Sequence, residues 1–224
     1  GYSSAASDVY KRQILLLEKQ KETNHYQIQS LPINSGVFCL KKDRFQDVVW
    51  IGTDGQGVYL YSNPLYSIKS MVLSNYTEKI ERPVRAIYLD DERTFWVGTK
   101  GNGILKIYDY EFDKNISDCR AEVLTTSNSA LSSNAVYCFA KSHRNLLWIG
   151  DEEGLTYYSY REKRIKSIPI RIGNEDFKYI HDIYETADSE LWLASVGMGV
   201  VKARIAGTPD NPVIVDAQRY IIND

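Results

Sequence analysis

Short apolar runs, broken by glycine, asparagine and acidic turns, return along the chain at long and nearly regular intervals. Val37-Phe38-Cys39-Leu40 is followed by a polar stretch, Asp43-Arg44-Phe45-Gln46-Asp47, and then by Val49-Trp50-Ile51-Gly52-Thr53. A glycine-rich turn, Asp54-Gly55-Gln56-Gly57, leads into Val58-Tyr59-Leu60-Tyr61, and a more variable run, Tyr66-Ser67-Ile68-Lys69, closes the unit. Runs of this length, bounded by turn residues and rich in β-branched and aromatic side chains, predict strands. No 3.6-residue apolar period accompanies them, so a helical solenoid is not expected.

The same unit returns three times. Phe95-Trp96-Val97-Gly98-Thr99-Lys100-Gly101-Asn102-Gly103, Leu147-Trp148-Ile149-Gly150-Asp151-Glu152-Glu153-Gly154 and Leu191-Trp192-Leu193-Ala194-Ser195-Val196-Gly197-Met198-Gly199 align with the first copy. All four tryptophans of the chain occupy one column, at 50, 96, 148 and 192. Upstream, Val84-Arg85-Ala86-Ile87, Val136-Tyr137-Cys138-Phe139 and Ile180-His181-Asp182-Ile183 align with Val37–Leu40 as the innermost strand of each unit. Such a period is the length of four short strands with their turns, one propeller blade. The expected fold is therefore all-β: a β-propeller fragment of about four complete four-stranded blades, with partial blades at both ends. The blades are placed at approximately 31–77, 78–128, 129–172 and 173–221, and residues 14–30 read as a blade remnant. Residues 1–13 resemble a translated sequencing-adapter read and are expected to be a non-native or disordered leader.

The anchor residues have a physical rationale. Gly57, Gly103, Gly154 and Gly199 stand where a hairpin turn calls for positive φ. Gly52, Gly98 and Gly150, with Ala194 in the fourth copy, leave no bulk beside Trp50, Trp96, Trp148 and Trp192, so a neighbouring blade can lie close to the indole. Burying one indole removes roughly 200 Å² from water, an upper-bound gain of about 5 kcal/mol. The acidic turn Asp151-Glu152-Glu153 reads as a solvated hairpin tip.

Composition narrows the partners. A formal charge of −2 gives no electrostatic reason to expect nucleic acid or an anionic membrane. Seventeen tyrosines against six phenylalanines suit strands with one buried and one wet edge. No apolar run approaches the roughly 18 to 20 residues that span a bilayer, and no secretory leader is visible. Three irregularly spaced cysteines do not make a disulfide framework. Cys39 and Cys138 share a column with Ala86 and Asp182, where small size is the expected requirement. Asn75-Tyr76-Thr77 and Asn115-Ile116-Ser117 match the glycosylation sequon.

The pattern Leu147-Trp148-Ile149-Gly150, preceded by Leu131-Ser132-Ser133-Asn134-Ala135-Val136, resembles the two-component regulator propeller repeat. Leu31-Pro32-Ile33-Asn34-Ser35-Gly36-Val37 is a looser version before the first copy, and the resemblance covers about residues 14–224. It implies a seven-bladed ring in the parent, on the periplasmic side of a bacterial inner membrane, in a hybrid two-component histidine kinase/response regulator. It further implies a non-enzymatic ectodomain that detects oligosaccharides and signals to a histidine kinase controlling glycan-utilisation genes. The partners so implied are an oligosaccharide, the remaining blades and kinase module of the same parent chain, and a second copy in a homodimer. No cofactor and no metal are expected.

Chemistry-bearing motifs are sparse. There is no G-x-S-x-G, H-E-x-x-H or paired C-x-x-C, and His25, His143 and His181 fall in different repeats. One column does vary while its flanks stay apolar: Phe38, Arg85, Tyr137 and His181. Aromatic and charged groups there would suit a sugar or uronate at a shared mouth; blade packing is the competing explanation. Two other functions stay open. A propeller-fold glycan lyase or glycosidase would need paired carboxylates or a His/Tyr set converging on one face, and a protein-interaction or dimerisation scaffold would need neither.

Overall fold

The computed structural model describes residues 14–19, 26–62, 67–71, 82–110 and 119–221. The leader 1–13, His25 and both sequons lie outside them. The described residues form four four-stranded antiparallel sheets and two hairpins. The first hairpin pairs β1 (Leu15–Lys19) with β2 (Tyr26–Ser30). The sheets, each a simple meander, follow in chain order. They are β3 (Val37–Lys42), β4 (Val48–Thr53), β5 (Val58–Ser62) and β6 (Ser67–Met71); then β7 (Val84–Leu89), β8 (Phe95–Thr99), β9 (Ile104–Ile107) and β10 (Ala121–Leu124). The third sheet holds β11 (Val136–Lys141), β12 (Leu146–Asp151), β13 (Leu155–Ser159) and β14 (Arg164–Ile168). A second hairpin, β15 (Arg171–Ile172) with β16 (Glu175–Asp176), precedes the fourth sheet: β17 (Ile180–Glu185), β18 (Glu190–Ser195), β19 (Gly199–Thr208) and β20 (Asn211–Tyr220). The β15–β16 hairpin was not foreshadowed by the repeat.

The sheets pack face to face in sequence order, and the inner strands β3, β7, β11 and β17 run side by side. Each interface repeats one recipe. Trp50, Val58 and Leu60 meet Ile87, Phe95 and Leu105 of the next sheet. Trp96 and Ile104 meet Val136, Ile149 and Tyr158, and Trp148 and Leu155 meet Ile180, Leu193 and Val201. Trp50, Trp96 and Trp148 are wholly buried. Trp50 lies 4.2 Å from the Phe95 ring and Trp96 4.8 Å from Tyr158, centroid to centroid. Trp192 departs from the expected burial: no sheet covers it among the described residues, and it is half-exposed. Its indole stacks instead on Tyr220 of its own sheet at 5.8 Å.

A buried indole N–H must also find an acceptor. The turns between inner strands and tryptophan strands supply it. Trp50 Nε1 donates to Asp43 Oδ2 at 2.9 Å and Trp96 Nε1 to Asp90 Oδ2 at 2.9 Å. The other oxygen of each carboxylate caps its own turn, Asp43 Oδ1 accepting from the Phe45 and Gln46 amides and Asp90 Oδ1 from Glu92 and Thr94. The third unit has Ser142 at this position, and Trp148 Nε1 turns to Glu185 Oε2 of the next sheet at 2.7 Å.

Close approach accounts for the glycine beside each buried tryptophan. A Cβ on Gly150 would lie 2.5 Å from Cys138 Sγ and 2.6 Å from the Ile180 carbonyl oxygen of the following sheet. One on Gly52 would meet Cys39 Sγ at 2.5 Å. The cysteine column thus fills the space over the glycine, with each cysteine directly across the ladder from it. Cys119, in the long connection after β9, packs into the core between the first two sheets.

The Leu131–Val136 segment ties sheets together. The Asn134 carbonyl accepts from both Gly101 and Gly103 amides at 2.9 Å, clamping the glycine turn of the preceding sheet. Ser132 Oγ and Thr156 Oγ1 donate to Asp151 Oδ2 at 2.6 and 2.9 Å. Asp151 is therefore fully buried, a correction to the solvated tip expected from its acidic neighbours. Its other oxygen accepts the Glu153 and Gly154 amides, which fixes the turn from inside.

Candidate functional site

Every inner strand carries a β-bulge at one place. Pairing skips a residue between Val37 and Cys39, Val84 and Ala86, Val136 and Cys138, and Ile180 and Asp182. The skipped residues are Phe38, Arg85, Tyr137 and His181, the variable column singled out from sequence. A bulged residue is released from the ladder and its side chain is re-aimed, which is why bulges gather at sites.

The four side chains meet in two contacts. The Arg85 guanidinium carbon lies 3.7 Å over the Phe38 ring, and the Tyr137 and His181 rings stack at 4.1 Å with 18° between planes. Burial, followed by the charges of Arg85 and Lys100, lowers the His181 pKa below that of a free imidazole. Tyr137 is raised, first by burial and then by Glu152. The two pairs therefore sense one another across the third inner strand. Arg85 Nε is buried without a hydrogen-bond partner, one of two such side-chain atoms among the described residues.

Around this row stand the residues that follow each tryptophan strand. Lys100 and Glu152 fall in one repeat column, and their amides donate to the carbonyls of Pro83 and Ala135, just ahead of the inner strands. Tyr179 precedes the fourth inner strand at φ 55°. A bulky side chain is seldom found there, and such strain is held only where surroundings enforce it. Here the Tyr179 amide donates to the Glu152 carbonyl at 3.0 Å. Tyr179 is 42% exposed and adds a third aromatic ring near Tyr137. It was missed in the sequence because no other repeat has an aromatic at that position; only its place before the column could have signalled it.

Among the described residues no group of three or more His, Cys, Asp or Glu is placed to hold a metal ion. A separate groove of about 520 Å³ lies between outer strands, lined by Glu122, Tyr158, Lys163 and Arg164 among others. Arg164 and Lys166 there are already bound to Glu162.

No protein-family model matches the chain. Its structure is similar to the extracellular domain of BT3049 from B. thetaiotaomicron, designated a hybrid two component system. The TM-score is 0.63 at 22% identity, over 96% of this chain and 27% of that one. The chain is an array of propeller blades. A second likeness is to PorZ, a surface component of the type-IX secretion system of Porphyromonas gingivalis. That TM-score is 0.59 at 13% identity, over 83% of this chain and 27% of that one. The chain thus spans about a quarter of the length of these solved structures. By sequence it is 31% identical over 140 residues to translation initiation factor 6 of Saccharolobus solfataricus, which covers 57% of each chain. The first likeness is to the class of protein that the Leu147-Trp148-Ile149-Gly150 repeat resembles.

Proposed function

We propose that the chain is part of the ligand-sensing ectodomain of a membrane-bound two-component sensor. It detects oligosaccharides on the periplasmic side of a bacterial inner membrane and signals to a histidine kinase that regulates glycan-utilisation genes. The observation that carries this reading is the bulge row: Phe38, Arg85, Tyr137 and His181 are freed from strand pairing and brought together as stacked rings and a guanidinium. Stacked rings bind the apolar faces of sugars, and flanking polar groups take the hydroxyls. The likeness to a sensor ectodomain over 96% of the chain supports the same reading. The translation-factor match covers 57% of the chain and 57% of that protein.

A second reading has one observation in its favour. Tyr137, His181 and Arg85 are the residue types of a glycan lyase that abstracts a proton beside a carboxylate. Their geometry is less favourable to it. The rings lie face to face at 18°, so the tyrosine hydroxyl and the imidazole do not form a proton relay. Burial also raises the Tyr137 pKa, away from a general base.

Calorimetry of the intact protein against a glycan panel tests the proposal. Binding is expected, with loss on Tyr137→Ala and His181→Ala in variants that remain folded. Growth of the ultraviolet absorbance of an unsaturated uronate during incubation would replace the sensor by the lyase.

A further inference from the structure

We propose that the second sheet carries a subsite for the anionic group, carboxylate or sulfate, of an acidic saccharide, formed by Arg82, Arg85 and Lys100. The inference rests on the glycan-binding reading of the bulge row and specifies which sugars the row takes.

Three cationic residues stand at one end of this sheet. Arg82 stands two residues before β7, Arg85 is its bulge residue, and Lys100 immediately follows β8. The Lys100 amide is bonded to the Pro83 carbonyl at 2.9 Å, which holds the two segments together. The Arg82 stem passes 3.5 Å from where a Cβ on Gly101 would sit, so it runs beside the Lys100 turn. None of the three has a carboxylate partner among the described residues, whereas Arg44, Arg161 and Lys178 each hold one. Like charges set near one another repel, and an arriving anion relieves that repulsion.

Arg85 adds direction. Lying over the Phe38 ring at 3.7 Å, its guanidinium is held by a face, which leaves its N–H edges for a ligand. Its buried Nε has no acceptor, and an orphaned donor on a charged group is costly unless something fills it. A carboxylate or sulfate offers the two oxygens that fit such an edge. The charges of Arg85 and Lys100 both reach the His181 ring, although burial is the larger cause of its lowered pKa. Glu152, on the next sheet beside Tyr137, is an acidic group close to the row. It repels an anion from that side and accepts hydroxyls instead, so the acidic sugar is directed to the second sheet and a neutral face to the Tyr137–His181 stack.

The test is calorimetry of the intact protein with three acidic probes and one neutral one. The acidic probes are an oligogalacturonate, an oligoguluronate and a chondroitin sulfate oligosaccharide; the neutral one is the fully methyl-esterified oligogalacturonate. At least one acidic probe is expected to bind about tenfold or more tightly than the neutral ester, as charge-assisted bonds require, with affinity falling as salt rises. Arg85→Gln should remove that preference. Lys100→Gln, at an exposed turn where folding is not at stake, should reduce it by several-fold. If the ester or other neutral glycans bind as tightly as every acidic probe, the anion subsite is overturned and glycan sensing stands. If no glycan of either kind binds, the glycan reading fails with it.

Discussion

The indole of Trp148 donates to Glu185 of the following sheet, at 2.7 Å, where Trp50 and Trp96 use an aspartate of their own sheets. Ser142 occupies the place of Asp43 and Asp90, and its Oγ only accepts from the Arg144 amide. Glu185 also accepts the His143 amide and faces the Arg144 guanidinium at 3.9 Å. One buried carboxylate therefore joins the third and fourth sheets. Glu185→Ala should cost about 2 to 4 kcal/mol, since it orphans the Trp148 indole and the His143 amide and leaves the Arg144 guanidinium with Ser189 Oγ alone. Adding Ser142→Asp restores a local acceptor and should recover part of the loss. Urea denaturation of the two variants reads this directly, and equal stability of Glu185→Ala and the parent would contradict it.

The tryptophans should not be equivalent. Trp96→Ala removes a wholly buried ring and is expected to cost about 3 to 5 kcal/mol. Trp192 is partly exposed and flanked by Tyr220 and Lys202 of its own sheet, so its removal should cost about 1 kcal/mol. Thermal unfolding of the two single variants would show the difference as a clear gap in Tm.

Cys39 and Cys138 should resist alkylation in the native protein. Burial pushes the Cys39 thiol up to about 12 and raises Cys138 as well, so neither forms appreciable thiolate near neutrality. Intact-mass analysis after iodoacetamide should find both unmodified until denaturant is added. Rapid labelling of either in buffer would mean the column is not packed over its glycine.

His181 should make stability depend on mild acid. Its folded pKa lies below that of a free imidazole, chiefly through burial, so the unfolded chain takes up the proton first as pH falls. The contribution is complete above the unfolded pKa of about 6.5 and is lost as pH drops from there towards the folded value. Melting scans from about pH 7 to about pH 5 should show a decline that His181→Gln flattens. An unchanged slope in the variant would assign the decline elsewhere.

The blade order was legible because its cause is periodic. A tryptophan, a small residue two places on and a turn glycine recur wherever one sheet must lie flat on the next. The row Phe38, Arg85, Tyr137, His181 was legible for the converse reason, as variation between constant neighbours. What stayed hidden depends on geometry between repeats. Glu185 is one residue of an inner strand until the third dimension sets it beside Trp148. Asp151 reads as part of an acidic tip, yet two hydroxyls 19 and 5 residues away draw it inside. The bulge leaves no mark in composition, because the skipped residue is defined by what it does not pair with.

That skipped residue has an evolutionary consequence. A position excused from cross-strand pairing can change from phenylalanine to arginine to histidine without disturbing the register on either side. On the proposed reading, stability is held by the tryptophan column and recognition by the bulges, in separate residues. A duplicated blade can then change the side chain it presents at the bulge through one substitution, at little risk to the sheet that carries it.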